Sequence, residues 1–324
     1  MVILGFLVLT AISIALTKDL FASVMLTGIY SLLSASFFVV MDAVDVAFTE
    51  ASVGAGISTI LMLSTLTLTG RYENPARHNT TLGLVVVVIT GALLIFGTSD
   101  MPSFGDLLAP VQQHVGPYYL NQSYEDIGVP NVVTSVLASY RGFDTFGETV
   151  VIFTAGIGVL GLLGFTANGN AQYENTVAPM YQHKILRIVS KVLIPPILLF
   201  ALYVQFHGDY GPGGGFQAGV IFAAAIILYA MLFGVGSAKK VINQPLIQIL
   251  SALGVLLYGS VGVVSLLNGK NFLDYSVLAS DSVAGQHYGI LLIELGVGIT
   301  VTCVMIIIFF TFAGRIDKKH GVAQ

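Results

Sequence analysis

The sequence predicts an all-α integral membrane protein with about nine transmembrane helices, its N-terminus outside and its C-terminus cytoplasmic. Three observations predict it. Of 324 residues, 55% are hydrophobic and only 9% charged, with a mean hydropathy of +0.87; soluble domains carry about 25% charged residues. The apolar residues fall in unbroken segments of about 20, the length a helix needs to cross bilayer hydrocarbon, and do not alternate as barrel strands do. Lys and Arg gather in every second connection, as the positive-inside rule requires.

The predicted spans are 2–17, 21–41, 45–69, 82–98, 148–166, 186–206, 216–236, 246–267 and 288–312. The first has no basic segment ahead of it, so it reads as a retained helix and not a cleaved signal. Lys18-Asp19 and the stretch from Asp42 to Asp45 are short turns, and residues 71–78 form a polar loop. The longest connection, 99–147, is acidic and rich in Pro and Tyr; within it 132–140 suits a short interfacial helix. Residues 167–185 and 268–287 are further loops. With the N-terminus outside, the inner side receives Lys18, Arg71, Arg77, Lys184, Arg187, Lys239, Lys240, Arg315, Lys318 and Lys319, and the outer side only Arg141 and Lys270. An odd number of spans is needed to keep that bias.

The composition also excludes functions. A net charge of −4 argues against nucleic acid. One cysteine, Cys303, makes no internal disulfide, zinc cage or iron–sulfur site. No phosphate loop, metal-spaced His pair or dinucleotide fingerprint is present, so no cofactor and no structural metal are expected.

The remaining candidates are ionisable groups within the apolar spans. Glu50 lies roughly 10 Å below the start of the third span at about 1.5 Å per residue. A carboxylate at that depth costs several kcal/mol unless paired, hydrated or neutral, which suggests a proton or cation relay; the alternative is a snorkelling or hydrogen-bonded acid. Gly54 and Gly56, one turn further in, permit close packing or a bulge. Asp42 and Asp45, three apart, share a face at the outer end and either cap the helix or guide cations. Asp144 and Glu148, four apart, open the fifth span, with Arg141 available to pair with Asp144. Lys191 sits about five residues inside the sixth span, either snorkelling or serving as a proton-relay or pairing group on the ion path. Pro195 and Pro196 follow it and predict a broken or kinked helix. The stretch 207–217 holds His207, Asp209, Gly213, Gly214 and Gly215; it reads as a tight hairpin against a partner protein, with His207 and Asp209 as surface proton groups. His287 and Glu294, seven apart, lie on one face of the last span. In this frame Glu50, Glu148 and Glu294 all fall in the outer half of the membrane.

Several of these stretches carry a family resemblance. Two of them are Asp-Val-Ala-Phe-Thr-Glu-Ala-Ser-Val-Gly-Ala-Gly at 45–56, and 132–148 with Arg-Gly-Phe-Asp-Thr-Phe-Gly-Glu at its end. Both resemble the C-terminal part of MrpA, from the Mrp antiporter, and small subunits of membrane-bound hydrogenases. Gly-Pro-Gly-Gly-Gly-Phe-Gln-Ala-Gly at 211–219 and the helix around Glu294 resemble MrpB. The resemblance implies a fusion, with a five-helix module at 1–170, related to a membrane-arm subunit of respiratory complex I, and a four-helix module at 171–324. It implies one subunit of a multisubunit cation/proton antiporter of the bacterial or archaeal cell membrane, typically exchanging sodium, with large pump-like and small membrane subunits as partners. It places Glu50, on a helix able to hold a π-bulge, and Glu148 on the ion path, where Na⁺ would bind only transiently. It assigns the glycine loop to contact with other subunits or to gating. Two alternatives stay open: a coupling subunit of a hydrogenase-type complex and a non-conducting scaffold.

Overall fold

A computed structural model describes residues 1–67, 69–74, 80–163 and 182–320, except for the side chains of Thr80 and of residues 314–320. Arg77 and part of the junction at 167–185 lie outside the described residues, as do the side chains of Arg315, Lys318 and Lys319.

The described chain is built of helices. α1 (Val2–Leu16), α2 (Leu20–Val40) and α3 (Val44–Glu50) come first; α3 continues through a π-helical stretch, Ala51–Ser58, into α4 (Thr59–Leu66). α5 (Thr80–Thr98) is followed by α6 (Pro110–Gln113), α7 (Val115–Ile127) and α8 (Val132–Thr134), which runs into a second π-helical stretch, Ser135–Tyr140. Then come α9 (Gly142–Leu163), α10 (Lys184–His207), α11 (Gly215–Phe233), α12 (Val235–Val241), α13 (Gln244–Leu267), a 3₁₀ turn (Tyr275–Leu278) and α14 (Ser282–His320). Among the described residues, eight helical spans, with Val44–Leu66 taken as one, are long and apolar enough to cross a membrane; α1 is apolar but has 15 residues.

Local chemistry sets several boundaries. Asp19 accepts the Phe21 and Ala22 amides at 3.0 and 3.4 Å and so starts α2. Asn131 does the same for α8 through the Val133 amide, at 3.0 Å. Gly128, at φ 79°, ends α7 in the left-handed conformation that glycine tolerates best.

Three expectations need correction. The connection at 99–147 is shorter than predicted, because α7 folds within it and α9 begins at Gly142. α7 is amphipathic and mostly polar, so hydropathy hides it, although Ser123 and Ile127 are buried. The last helix begins at Ser282, six residues early. Pro195 and Pro196 do not divide α10, which remains one helix from Lys184 to His207.

The centre of the molecule is α11, α13 and α14, where Ile227, Tyr258, Ile290, Val301 and Phe310 are fully buried. Lipid offers little hydrophobic drive for helix association, so close backbone approach and hydrogen bonds between helices carry it. Gly254 and Gly296 meet in this way: a Cβ on either would lie 2.5 to 2.7 Å from the other's carbonyl oxygen. α5, by contrast, has no buried residue over Thr81–Thr98.

At one end of the bundle the Arg71 guanidinium pairs with Asp19 at 2.8 Å, and the Leu20 amide donates to the Arg71 carbonyl at 2.8 Å. That guanidinium holds the Asp19 carboxyl below its usual range. α3, α9, α11 and α14 all start at the opposite end, and there the acids collect.

Candidate functional site

A cavity of about 580 Å³ lies between α3, the 132–140 segment, α9, the loop ahead of α11, and α14. Asp45, Glu148 and Glu294 line it, together with Thr49, Thr134, Thr145, Thr149 and Gln217. The rest of the wall is largely apolar, including Leu137, Phe216 and Val297. The acids come from three helices and from both halves of the chain.

Asp45 sits in the first turn of α3 and accepts from Asn131 Nδ2 at 3.5 Å. Asn131 organises this end. Its Nδ2 also donates to the carbonyls of Gly208 at 3.2 Å and Gly211 at 3.1 Å, and its backbone amide donates to the Asp209 carbonyl at 3.0 Å. Thr134 Oγ1 adds a 2.6 Å bond to the Gly208 carbonyl. These bonds fix the α10–α11 loop against the first half of the chain.

Glu294 is held by glycines. A Cβ on Gly214 would lie 3.1 Å from its Oε1, and one on Gly208 3.3 Å. A Cβ on Gly215 would overlap the Glu294 carbonyl oxygen. A Cβ on Gly213 would lie 2.7 Å from the Val204 carbonyl, and Gly214 has φ 113°, a region glycine alone occupies readily. The glycine run is therefore required for packing inside this chain. The expected hairpin is seated on α14.

Glu148 is exposed on the second turn of α9. Asp144 does not join it: it forms an exposed ion pair with Arg141 at 2.6 Å, off the cavity wall.

Glu50 also lies off that wall. Five residues at 3.6 per turn separate it from Asp45 by about 140°, so the two acids point different ways while Thr49 shares the face of Asp45. The Glu50 carboxyl lies over Gly54, beside Ser31 of α2: a Cβ on Gly54 would lie 2.5 Å from Glu50 Oε1 and 2.6 Å from Ser31 Oγ. Gly54 lies inside the π-helical stretch, where that space is filled by Glu50 and Ser31; a Cβ on Gly56 would meet only the Ala51 carbonyl, at 3.5 Å.

The other candidates separate from the cavity. Asp42 is exposed in the turn before α3 with φ 62°, and Ala43 is the residue at the helix start, so Asp42 neither caps α3 nor shares a helix face with Asp45. The Lys191 ammonium lies 5.3 Å from the centre of the Phe233 ring, which the Arg187 guanidinium also approaches at 4.9 Å. The His207 ring stacks on Tyr203 at 4.8 Å. Asp209 is paired not with His207 but with His287, whose Nδ1 lies 3.3 Å from its Oδ2. Burial pushes the Asp209 carboxyl above its usual range, and His287 opposes that shift.

Sequence reasoning missed Thr49, Asn131, Thr134 and Gln217. The signal for Gln217 was an amide in the first turn of an otherwise apolar helix; for Asn131 and Thr134 it was a helix-start pattern at the head of the short helix expected at 132–140.

Carboxylates, hydroxyls and amides present oxygen ligands, which suit hard cations and protons. Among the described residues no three His, Cys, Asp or Glu side chains stand close enough to cage a metal ion.

Comparisons with known proteins match the chain in three stretches. A family model described as a domain related to the MnhB subunit of Na⁺/H⁺ antiporter matches residues 185–307. The MbhD and MbhE models, both named for subunits of MBH, match 5–71 and 77–171. A probable K⁺/H⁺ antiporter A/B subunit of Rhizobium meliloti (strain 1021) is 25% identical, over 93% of this chain and 33% of its own length. The putative antiporter subunit mnhB2 of Staphylococcus aureus (strain Newman) is 32% identical, over 40% of this chain and 94% of its own length. A chain in the Mrp complex from Dietzia sp. DQ12-45-1b superposes with a TM-score of 0.77 at 24% identity, covering 96% of this chain and 34% of that one. A chain of an archaeal membrane-bound sulfane sulfur reductase gives a TM-score of 0.55 at 29% identity, covering 72% and 97%. The present chain thus spans about a third of the length of the Rhizobium and Dietzia relatives.

Proposed function

The chain belongs to the family of antiporter subunits related to MnhB, and from that premise we propose that it serves as one subunit of a multisubunit cation/proton antiporter in a bacterial or archaeal cell membrane. Residues 1–170 form one module and 171–324 the other. The N-terminus faces outward, so the acid-rich end opens to the outer side and the basic end to the cytoplasm. Its role is transport, not catalysis, alongside large pump-like and small membrane subunits.

One observation carries this reading: Asp45, Glu148 and Glu294, distant in sequence, line one cavity at the junction of the two modules. A protonated acid is tolerated in a low-dielectric wall; an ionised one favours a cation beside it. Alternate occupation by H⁺ and an alkali cation is the chemistry exchange needs. We take sodium as the cation; the Rhizobium relative is named for potassium, so both ions belong in the assay. Glu50, on the α2 side of the third span, is a second protonatable position on the same helix. The membrane-bound sulfane sulfur reductase chain covers 72% of this chain, whereas the K⁺/H⁺ antiporter protein and the chain of an Mrp complex cover 93% and 96%.

The test is Na⁺- and K⁺-driven pH change in everted vesicles containing the assembled complex. Glu148→Gln and Glu294→Gln each lower exchange by roughly tenfold or more if the cavity lies on the path. Unchanged exchange per assembled complex in both variants makes the chain a scaffold.

A further inference from the structure

The pairing of Asp209 with His287 lies outside the cavity wall, and exchange at Glu294 alone makes no use of it. Its placement is specific. Asp209 follows Gly208, on which a Cβ would lie 3.3 Å from Glu294 Oε1, and precedes the glycines that hold that carboxyl. His287 is on α14, two turns before Glu294. The imidazole is the open partner, with 45% of its side chain accessible against 13% for Asp209. The Asp209 backbone is fixed by Asn131, which also binds Asp45. An exposed base, a half-sheltered acid and the cavity acid therefore follow one another from surface to interior.

We propose that His287 and Asp209 are the proton-loading pair of this cavity and supply Glu294. The imidazole takes a proton from water at Nε2 and releases the one on Nδ1 to Asp209 Oδ2, so both groups become neutral. Asp209 then yields that proton to the Glu294 carboxylate and returns to its ionised form. One proton is gained at Nε2 and another is passed on from Nδ1; Asp209 ends as it began, and the imidazole, left protonated at Nε2, is reset when its open ring turns over and presents an N–H to Asp209 again.

The geometry favours this pair over the neighbouring groups. His207, on α10, has its ring against Tyr203 and Gly211. Asp45 on α3 is reached by Asn131, and Glu148 on α9 is itself a cavity acid. Tyr288 neighbours His287, its ring centre 6.4 Å away. The raised proton affinity of Asp209 suits an acid that must hold a proton briefly at working pH.

This inference rests on the antiporter reading, and the experiment separates the two. His287→Gln keeps a donor towards Asp209 but cannot titrate; Asp209→Asn keeps the contact but cannot take the proton. Both are assayed in the assembled complex in vesicles from about pH 6 to about 9, with rates normalised to assembled complex. Positioned proton-transfer groups contribute about 10²–10⁴-fold, so His287→Gln is expected to slow exchange roughly tenfold or more, most strongly at alkaline pH. Free imidazole is expected to raise the rate of His287→Ala severalfold, which a purely structural pair would not show. Wild-type rates and pH profiles in both His287→Gln and Asp209→Asn overturn the loading pair. If Glu148→Gln and Glu294→Gln are inactive in the same assay, the antiporter reading survives that result; if they too are unaffected, it falls with it.

Discussion

Gln217 Nε2 donates to Thr49 Oγ1, 168 residues away in sequence, at 2.8 Å, tying α11 to α3. Gln217 is buried and Thr49 partly so, and both line the acid cavity. The bond therefore sets the distance between the wall carrying Asp45 and the wall carrying Glu294.

A double-mutant cycle with Thr49→Val and Gln217→Leu measures that tie. Hydrogen bonds between membrane helices contribute about 0.6 kcal/mol on average and up to about 1.7. We expect a coupling energy in that range from thermal or denaturant unfolding in detergent. Additive effects of the two substitutions would mean that the modules are held by the surrounding packing alone.

Gly215→Ala places a methyl group against the Glu294 carbonyl, backbone against backbone, where no side-chain rotation relieves it. Overpacking of this kind costs about 1–3 kcal/mol. The expected result is a lower Tm and less assembled complex. Gly91→Ala in α5 is the control: nothing lies within 4 Å of its Cβ position, and the change should be neutral or mildly stabilising. Equal Tm values for the two variants would contradict the packing described for the glycine loop.

Stability should also vary with pH through Asp209. Its proton is held more tightly in the folded chain than at the ordinary value of 3.8. Such a group stabilises most fully below the unfolded value, and its contribution is lost as pH rises through the raised folded value. Asp209→Asn cannot lose a proton, so its Tm should gain on the wild type as pH rises above 3.8. Parallel Tm curves for the two proteins would show that burial does not perturb this carboxyl.

Legibility from sequence differed by feature. The spans could be read because hydrocarbon thickness and backbone hydrogen bonding act on each segment alone. Even so, α7 was hidden, since a helix at an interface needs only one apolar face. The Arg141–Asp144 pair was also readable, being three residues apart where α9 starts. The partner of Asp209 was not: His207 is near in sequence, but His287 is near in space.

The sequence by itself determined a membrane-embedded helical chain, the end of the bundle at which its acids collect, and the glycine run ahead of α11. Those follow from transfer energies and local geometry, which depend on composition and spacing. Tertiary structure alone decided that Asp45, Glu148 and Glu294 share a cavity while Glu50 turns to α2 and Asp144 to Arg141. Which acids meet depends on helix rotation and on contacts between residues far apart in the chain, and a one-dimensional pattern of hydropathy carries neither.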